Sequence, residues 1–185
     1  MPIVIVMYRK IIALTVFILL FPAIYGQDSR INELPRGYLG VELGLSLDGL
    51  KSALAGHPYL QYRGDPDVSL LSKENEKLVQ CRGLSFVNQG SFQLFEGKVY
   101  IVAFMLNTDK IDYYTMFVTL SKKYGDPDSL SPTQAVWEGN GVRMSLEKPL
   151  TVKYIDTGVF TGKINESKKQ ESLNVKERED FLEGF

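Results

Sequence analysis

Two residues in this sequence could carry nucleophilic or metal chemistry: the single histidine, His57, and the single cysteine, Cys81. A cysteine nucleophile needs a base within hydrogen-bonding distance, and a zinc site needs several clustered ligands. His57 lies between a Gly and a Pro, which is typical of a loop, whereas Cys81 lies in a β-rich segment, where a small packed side chain is expected. The sequence therefore predicts no catalytic residues and no zinc site.

The carboxylates offer no clearer site. Two Gly-Asp-Pro-Asp sequences, at 64–67 and 125–128, could supply calcium ligands, but Asp beside Pro is ordinary turn chemistry and no EF-hand loop is present. Glu138 and Glu147 fall on opposite arms of a predicted hairpin, where we expect no pocket. Phosphate-binding glycine loops and Gly-x-Ser-x-Gly elbows are also missing from the sequence. We therefore predict a protein that is not an enzyme and that uses no cofactor or metal.

The element expected to organise the fold is a strand followed by a helix. Residues 99–106 are apolar without interruption and predict a strand that is covered on both faces. Residues 107–109, Asn-Thr-Asp, are candidates for the helix N-cap. Gly125 suits the left-handed position after the helix, and Pro127 prevents its continuation. The apolar stripe of this helix is predicted to contain Tyr113, Phe117, Leu120 and Tyr124, widened by Ile111, Tyr114 and Val118.

The flanking segments predict a second helix and an antiparallel sheet. Ser46 is expected to cap a short helix that ends at Leu54. Asn140-Gly141 predicts a two-residue hairpin turn, because both positions favour positive φ. Further strands are predicted at 38–43, 78–82, 84–88, 91–95, 133–138, 142–147 and 150–155. The predicted fold class is α+β, with an antiparallel β-sheet and two main helices packed on one face.

The two Gly-Asp-Pro-Asp sequences suggest an internal repeat. Each follows a helical segment and precedes strands. The sequence leaves open whether the chain holds two diverged α-β-β units or whether common turn residues recur by chance.

Short motifs in both predicted units resemble a known family. The motifs are Gly44-Leu45-Ser46, Leu50, Leu54 and Gly56-His57-Pro58 in the first unit, and Leu120, Lys123-Tyr124-Gly125-Asp126-Pro127 and Trp137 in the second. They resemble the SmpA/BamE-like domains, and tandem units of this kind are similar in outline to the β-lactamase inhibitor protein. The resemblance covers residues 44–156 and implies a helix layer on an antiparallel sheet, a binding role and no catalysis. The chain lacks the lipidated Cys of the outer-membrane assembly lipoprotein, so the resemblance transfers no functional residues.

The N-terminus predicts an export signal. Two basic residues precede an almost uncharged run at 11–24, and Gly26 offers a small residue for cleavage. We therefore expect a signal peptide at 1–26, with Met7 as an alternative start. The competing interpretation is a retained inner-membrane anchor over 11–25, which is shorter than the roughly 20 residues that usually cross a bilayer.

Composition divides the rest of the chain into three parts. Residues 27–36 form a polar lead-in, residues 37–162 a single α+β domain, and residues 163–185 a charged tail. For this tail, a flexible state and a marginal helix both stay open. The 21 Lys and Arg residues nearly balance the 22 Asp and Glu residues, so we expect no nucleic-acid partner.

These features favour an exported protein that binds rather than catalyses. An export signal with one cysteine and no disulfide framework favours a bacterial periplasm. The leading hypothesis is a periplasmic or secreted scaffold that binds an envelope protein. The alternative is a carrier that holds a lipid or small apolar ligand in a cavity between helices and sheet. Candidate interface aromatics are Tyr59, Tyr62, Tyr113, Tyr114 and Trp137, although core packing is expected for most of them.

Overall fold

The computed structural model describes residues 33–70 and 75–184 of the chain. The predicted signal peptide at 1–26, the alternative anchor at 11–25 and most of the polar lead-in lie outside the described residues. In the described part, no helix combines the length and the apolar character that crossing a bilayer requires.

The described residues fold into an antiparallel sheet covered by helices, which confirms the predicted α+β class. A small hairpin precedes the main sheet, whose strand order is β3-β5-β6-β7-β11-β10-β9-β8, with β4 paired to β5. The hairpin strands are β1 (Gly37–Tyr38) and β2 (Val41–Glu42). The main strands are β3 (Leu60–Gln61), β4 (Val68–Leu70), β5 (Glu76–Gly83), β6 (Val87–Phe95), β7 (Lys98–Leu106), β8 (Ser129–Leu130), β9 (Gln134–Gly139), β10 (Val142–Glu147) and β11 (Thr151–Asp156).

Three α-helices are present within the described ranges: α1 (Leu47–Ala55), α2 (Tyr113–Tyr124) and α3 (Thr157–Glu183). Ser46 caps α1 as predicted, since its Oγ accepts a hydrogen bond from the Gly49 N–H at 3.1 Å. The predicted end of α2 is confirmed, because Gly125 follows it with φ of 84°.

The chain is built from two similar units that meet at the centre of the sheet. In the first, α1 precedes the meander β5-β6-β7, and in the second, α2 precedes the meander β9-β10-β11. The third strands of the two meanders, β7 and β11, pair with each other. Each unit therefore contains a helix and a three-stranded meander, with the short strands β3 and β4 added in the first unit and β8 in the second, and so has more strands than the α-β-β pattern suggested by the sequence. Both helices bury apolar residues in one shared core: Leu50 and Leu54 from α1, and Leu120 and Tyr124 from α2.

The prediction that β7 is covered on both faces is wrong. Val102 and Phe104 are buried in the core, but Met105 on the opposite face is 43% exposed. An unbroken apolar run conceals the alternation here, because the outward side chains are apolar although they are only partly covered. The proposed helix stripe is also too wide, since Tyr114 and Val118 lie on the exposed side of α2.

The cap of α2 and the meander around β6 also differ from prediction. The N-cap is Asp112, whose Oδ1 accepts from the Thr115 N–H at 2.8 Å, rather than a residue of 107–109. The segments 84–88 and 91–95 are not separate strands, because β6 runs continuously through Gly90. Similarly, the strand predicted at 38–43 is the β1–β2 hairpin.

The charged segment after the sheet is helical. The sequence had left open whether this segment is flexible or forms a helix. α3 has no buried residue and is fixed to the sheet near its beginning. There, Lys163 Nζ donates to Glu76 Oε1 and lies 4.3 Å from the centroid of the Phe95 ring and 5.2 Å from that of Tyr100. The remainder of α3 extends away with its side chains exposed.

Candidate ligand-binding cleft

An apolar cleft of about 300 Å³ lies on the helix-covered face of the sheet. Its floor is formed by Phe104 and Leu106 of β7 and by Val152 and Tyr154 of β11. Phe104 pairs across the strands with Val152, and Val102 pairs with Tyr154. Paired residues share a face of an antiparallel sheet, so the central register directs these apolar side chains to the same side.

The walls of the cleft come from segments that are distant in sequence. Tyr38 from β1, Tyr59 from the segment after α1, and Phe86 from the β5–β6 turn form one wall. Ile111 and Met116, from the start of α2 and the segment before it, form the other. Tyr38 and Phe86 are each 44% exposed, so aromatic surface reaches the entrance as well as the interior.

Aromatic contacts hold the first wall in place. The Tyr38 and Phe104 rings meet edge to face with centroids 5.8 Å apart, and the Tyr59 and Phe86 rings meet likewise at 6.2 Å. Such pairs contribute about 0.5–1.5 kcal/mol each beyond the area they bury. The wall is therefore ordered without a ligand, and a ligand would not have to assemble it.

The lining offers apolar contact and few polar groups. Burial raises the pKa of Tyr154, so its phenol stays neutral at physiological pH. Among the residues that the structure describes, those that line the cleft include no carboxylate, amine, thiol or imidazole. The cleft is therefore suited to holding an apolar group.

His57 lies behind the aromatic wall. Its ring stacks on Phe104, with centroids 6.1 Å apart and an interplanar angle of 20°, and also contacts Tyr38 and Tyr59. Its Nδ1 accepts a hydrogen bond from the Tyr59 N–H at 3.2 Å, which places the proton of the neutral ring on Nε2. Nε2 is buried with no hydrogen-bond partner in the described structure. Burial lowers the pKa of His57, so the ring packs as a neutral aromatic group.

Comparison with known families places the cleft inside a recognised domain. The family model of the TP0088 domain matches residues 36–166. The chain belongs to the TP0088 domain family. The matched range contains both helix-and-strand units and all the cleft residues, and it ends within α3. No curated protein and no solved structure matches the chain. The resemblance to SmpA/BamE-like domains stays a prediction.

Cys81 of this TP0088 domain is a packed side chain on β5. It is 3% exposed, and burial, together with the Asp67 carboxylate, raises the pKa of its thiol to about 12. The thiol is therefore protonated and unreactive at neutral pH. The polar contact of His57 is the Tyr59 backbone, and the thiol lies against Gly90 of the neighbouring strand, so the two residues have separate surroundings.

Three aspartates of the two Gly-Asp-Pro-Asp sequences have polar contacts in the described structure, and that of Asp67 lies within its own turn. Asp67 is buried and accepts hydrogen bonds from both the backbone N–H and the Nε–H of Arg63, each at 2.8 Å. Asp128 accepts from the Glu138 N–H at 2.6 Å. Asp65 lies 3.5 Å from Lys51 Nζ. In the part of the TP0088 domain that the structure describes, no three His, Cys, Asp or Glu residues cluster as metal ligands would.

The aromatic residues proposed as an interface have different positions in the TP0088 domain. Trp137 is fully buried and its Nε1–H donates to the Gly125 carbonyl at 2.9 Å, while the Tyr113 hydroxyl donates to the Leu146 carbonyl at 3.1 Å. Tyr62 is half-buried and Tyr114 is exposed on α2. The structure brings Tyr59 to the cleft and does not bring the other four there.

A second groove, also of about 300 Å³, lies on the opposite face of the sheet and contains Glu138 and Glu147. This corrects the expectation that the two carboxylates share no pocket. Each carboxylate already has a cation, because Arg143 Nε donates to Glu138 at 2.7 Å and Lys153 Nζ to Glu147 at 2.7 Å. The pair is therefore part of an ion-paired surface rather than an arrangement of free acid and base.

Sequence reasoning missed most of the cleft residues. Tyr38, Phe86 and Met116 were not singled out, because each belongs to a different short segment and none has a distinctive local pattern. One signal was available at 84–88, where Leu84 and Phe86 are large apolar residues; we predicted them in a strand, whereas they lie in the β5–β6 turn.

Proposed function

We propose that this protein is an exported, non-catalytic carrier that holds a small apolar ligand in the cleft between helices and sheet. The observation that carries this proposal is the cleft itself, about 300 Å³ with walls of aliphatic and aromatic side chains. That volume is at the small end of the range for ligand pockets, roughly 300–1,000 Å³. Export is supported by the N-terminal sequence, and the periplasm is the compartment that we propose.

Apolar surface at the entrance supports binding rather than simple imperfect packing. Tyr38 and Phe86 are half-exposed, and each is close in sequence to another exposed apolar residue. These residues are Leu39 in the β1–β2 turn and Leu84 in the β5–β6 turn. Exposed apolar residues that gather around a concave site are typical of binding surfaces. A ligand would bury this surface and gain roughly 25 cal/mol for each Å² removed from water.

The test is to fill the cleft without disturbing the core. Met116 faces the cleft from α2 and is only half-buried, so Met116→Trp places an indole in the ligand space. Val118, on the same helix, is 43% exposed and does not line the cleft, so Val118→Trp is the matched control. Binding is measured with N-phenyl-1-naphthylamine, a probe whose fluorescence rises in apolar surroundings.

We expect the wild type and Val118→Trp to bind the probe alike, and Met116→Trp to bind it at least about tenfold more weakly, equivalent to about 1.4 kcal/mol. Equal binding by the two tryptophan variants would place the probe elsewhere. An unresponsive wild type would remove the support for a carrier. Native mass spectrometry of protein purified from its own host would then identify any ligand that stays bound.

A second candidate function, docking of an envelope protein, is favoured by α3. This helix continues well beyond its attachment at Lys163, and Val175 and Leu182, which are seven residues apart and therefore on one side of the helix, are both exposed. Helices of this kind bind partners through apolar positions on one face. The expected result is that the double variant Val175→Lys, Leu182→Lys loses an envelope protein that the wild type retains, while binding of the probe is unchanged. If both proteins retain the same partner, α3 is not the docking element.

A further inference from the structure

One cation is fixed at the entrance of the cleft. Lys110 directly precedes Ile111, which lines the cleft, and its side chain is exposed. Lys110 Nζ lies 5.5 Å from the centroid of the Phe86 ring and 3.4 Å from Ser85 Oγ. The ammonium group is therefore held beside one of the two half-exposed aromatic residues that form the entrance.

The backbone around Lys110 is tied to the opposite wall. The Asn107 N–H donates to the Phe86 carbonyl at 2.9 Å, and the Asn107 Nδ2–H donates to the Ser85 carbonyl at 3.2 Å. The Lys110 N–H in turn donates to the Asn107 carbonyl at 3.1 Å. Asn107 thus fixes the backbone segment that carries Lys110 to the β5–β6 turn, and the contacts of Nζ with Phe86 and Ser85 place the ammonium group beside the cleft.

The charge of Lys110 is available to a ligand. Within residues 33–70 and 75–184, no carboxylate forms an ion pair with it. The nearby Asp112 carboxylate is engaged at the start of α2, where it accepts hydrogen bonds from the N–H and the hydroxyl of Thr115. These hydrogen bonds lower the pKa of Asp112 and hold its charge at the helix end.

We propose that the ligand of this cleft is a fatty acid of medium chain length. Its alkyl chain occupies the apolar cleft, and its carboxylate pairs with Lys110 at the entrance. This inference rests on the proposed carrier function and adds the chemistry of the ligand: one anionic head on one unbranched apolar tail. Charge complementarity selects the head, and the modest volume of the cleft selects a chain shorter than those of membrane lipids.

The test compares ligands that share a chain and differ in the head. Decanoate, decanol and decylammonium are titrated calorimetrically into the wild type and into Lys110→Gln, at low salt and at a pH where the acid is ionised. Lys148→Gln is the matched control, because Lys148 also lies over an aromatic ring, that of Tyr113, at 5.7 Å but outside the cleft lining. Both substitutions change exposed residues, and thermal melting checks that the variants are folded.

We expect Lys110→Gln to weaken the binding of decanoate roughly three- to tenfold and to leave the binding of decanol unchanged. Lys148→Gln should leave both ligands unchanged. In the wild type, shortening the acid should weaken binding about fourfold for each methylene removed. Lys110→Glu should reverse the preference between decanoate and decylammonium.

The possible failures are distinct. If the wild type binds decanoate and decanol, and Lys110→Gln binds decanoate as tightly as the wild type does, the head group does not pair with Lys110 and only the carrier function survives. If the wild type binds none of the three ligands, the carrier function and the fatty-acid assignment fail together. Equal weakening by Lys110→Gln and Lys148→Gln would indicate a general effect of charge and would overturn the pairing.

Discussion

Two concave sites among the described residues of this TP0088 domain have the same volume and different chemistry. Each measures about 300 Å³, and they lie on opposite faces of one sheet. The cleft under the helices is lined by apolar and aromatic side chains, whereas the lining of the outer groove includes Glu138, Arg143 and Glu147, whose charged groups already form ion pairs. A ligand in the outer groove would have to replace those pairs, while a ligand in the cleft would replace only water. Volume alone therefore does not identify a binding site.

The contrast arises from the register of the central strands. Phe104, Val152 and Leu146 are paired in sequence across β7, β11 and β10, and they face the helices. The neighbouring residues Met105, Thr151 and Glu147 are likewise paired across the same three strands, and they face the opposite side of the sheet. Because side chains alternate along a strand, a register slip of one residue would exchange the two surfaces.

The largest effect on stability is expected at β7, where the adjacent residues Phe104 and Met105 face opposite sides of the sheet. Phe104→Ala should lower the free energy of unfolding by about 3–5 kcal/mol, because it leaves a cavity in the core beneath the cleft. Met105→Ala should cost less than about 1 kcal/mol, because Met105 is 43% exposed. Urea denaturation measures both. Similar losses at the two positions would mean that the outer face of β7 is covered in solution, as the sequence first suggested.

Local rules predicted the parts of the fold that depend on neighbouring residues. The cap at Ser46, the left-handed Gly125 and the Asn140-Gly141 turn were all predicted, because each depends on backbone preferences within a few residues. The break predicted at Gly90 was wrong because this glycine depends on contacts with residues outside its own segment. A Cβ there would come within 2.8 Å of the Phe92 ring and 3.0 Å of Leu60, so the glycine is required by tertiary packing inside a strand.

A cavity between helices and sheet was one of the two hypotheses from the sequence, but the residues that line the cleft could not be predicted, because no short stretch of sequence contains them. Its lining contains both Tyr38 and Tyr154, which lie near the two ends of the domain in sequence, and the pairing of β7 with β11 places Tyr154 in its floor. The proposed role of Lys110 was equally hidden. Asn107 was expected to cap α2, but its backbone and side chain instead connect the segment before α2 to the β5–β6 turn. Both features require long-range contacts that sequence spacing does not encode.

A smaller effect, confined to the cleft side, is expected from pH. Burial lowers the pKa of His57 in the folded protein below its value in the unfolded chain, so stability is full above about pH 6.5 and declines as pH falls below it. Each unit of pKa difference corresponds to about 1.4 kcal/mol. His57→Asn keeps a hydrogen-bond acceptor for the Tyr59 N–H and removes the titration.

The measurement is the free energy of unfolding at pH 7.5 and at pH 5 for the wild type and for His57→Asn. Other titrating groups contribute to both proteins, so the difference between the two pH dependences isolates His57. We expect the wild type to lose more stability on acidification than the variant. Parallel curves would show that the ring is protonated as easily in the folded protein as in the unfolded chain, and that the wall behind the cleft admits water.

The smallest effect is expected in the outer groove. Lys153 and Glu147 are paired at 2.7 Å, yet each side chain keeps 28% of its surface exposed. Water screens such a pair, so a double-mutant cycle with Lys153→Met and Glu147→Gln should give a coupling energy of about 1 kcal/mol or less. The same variants should bind the apolar probe as the wild type does. A larger coupling, or a change in probe binding, would show that the two faces of the sheet are energetically linked, and that the outer groove helps to hold the central strands beneath the cleft.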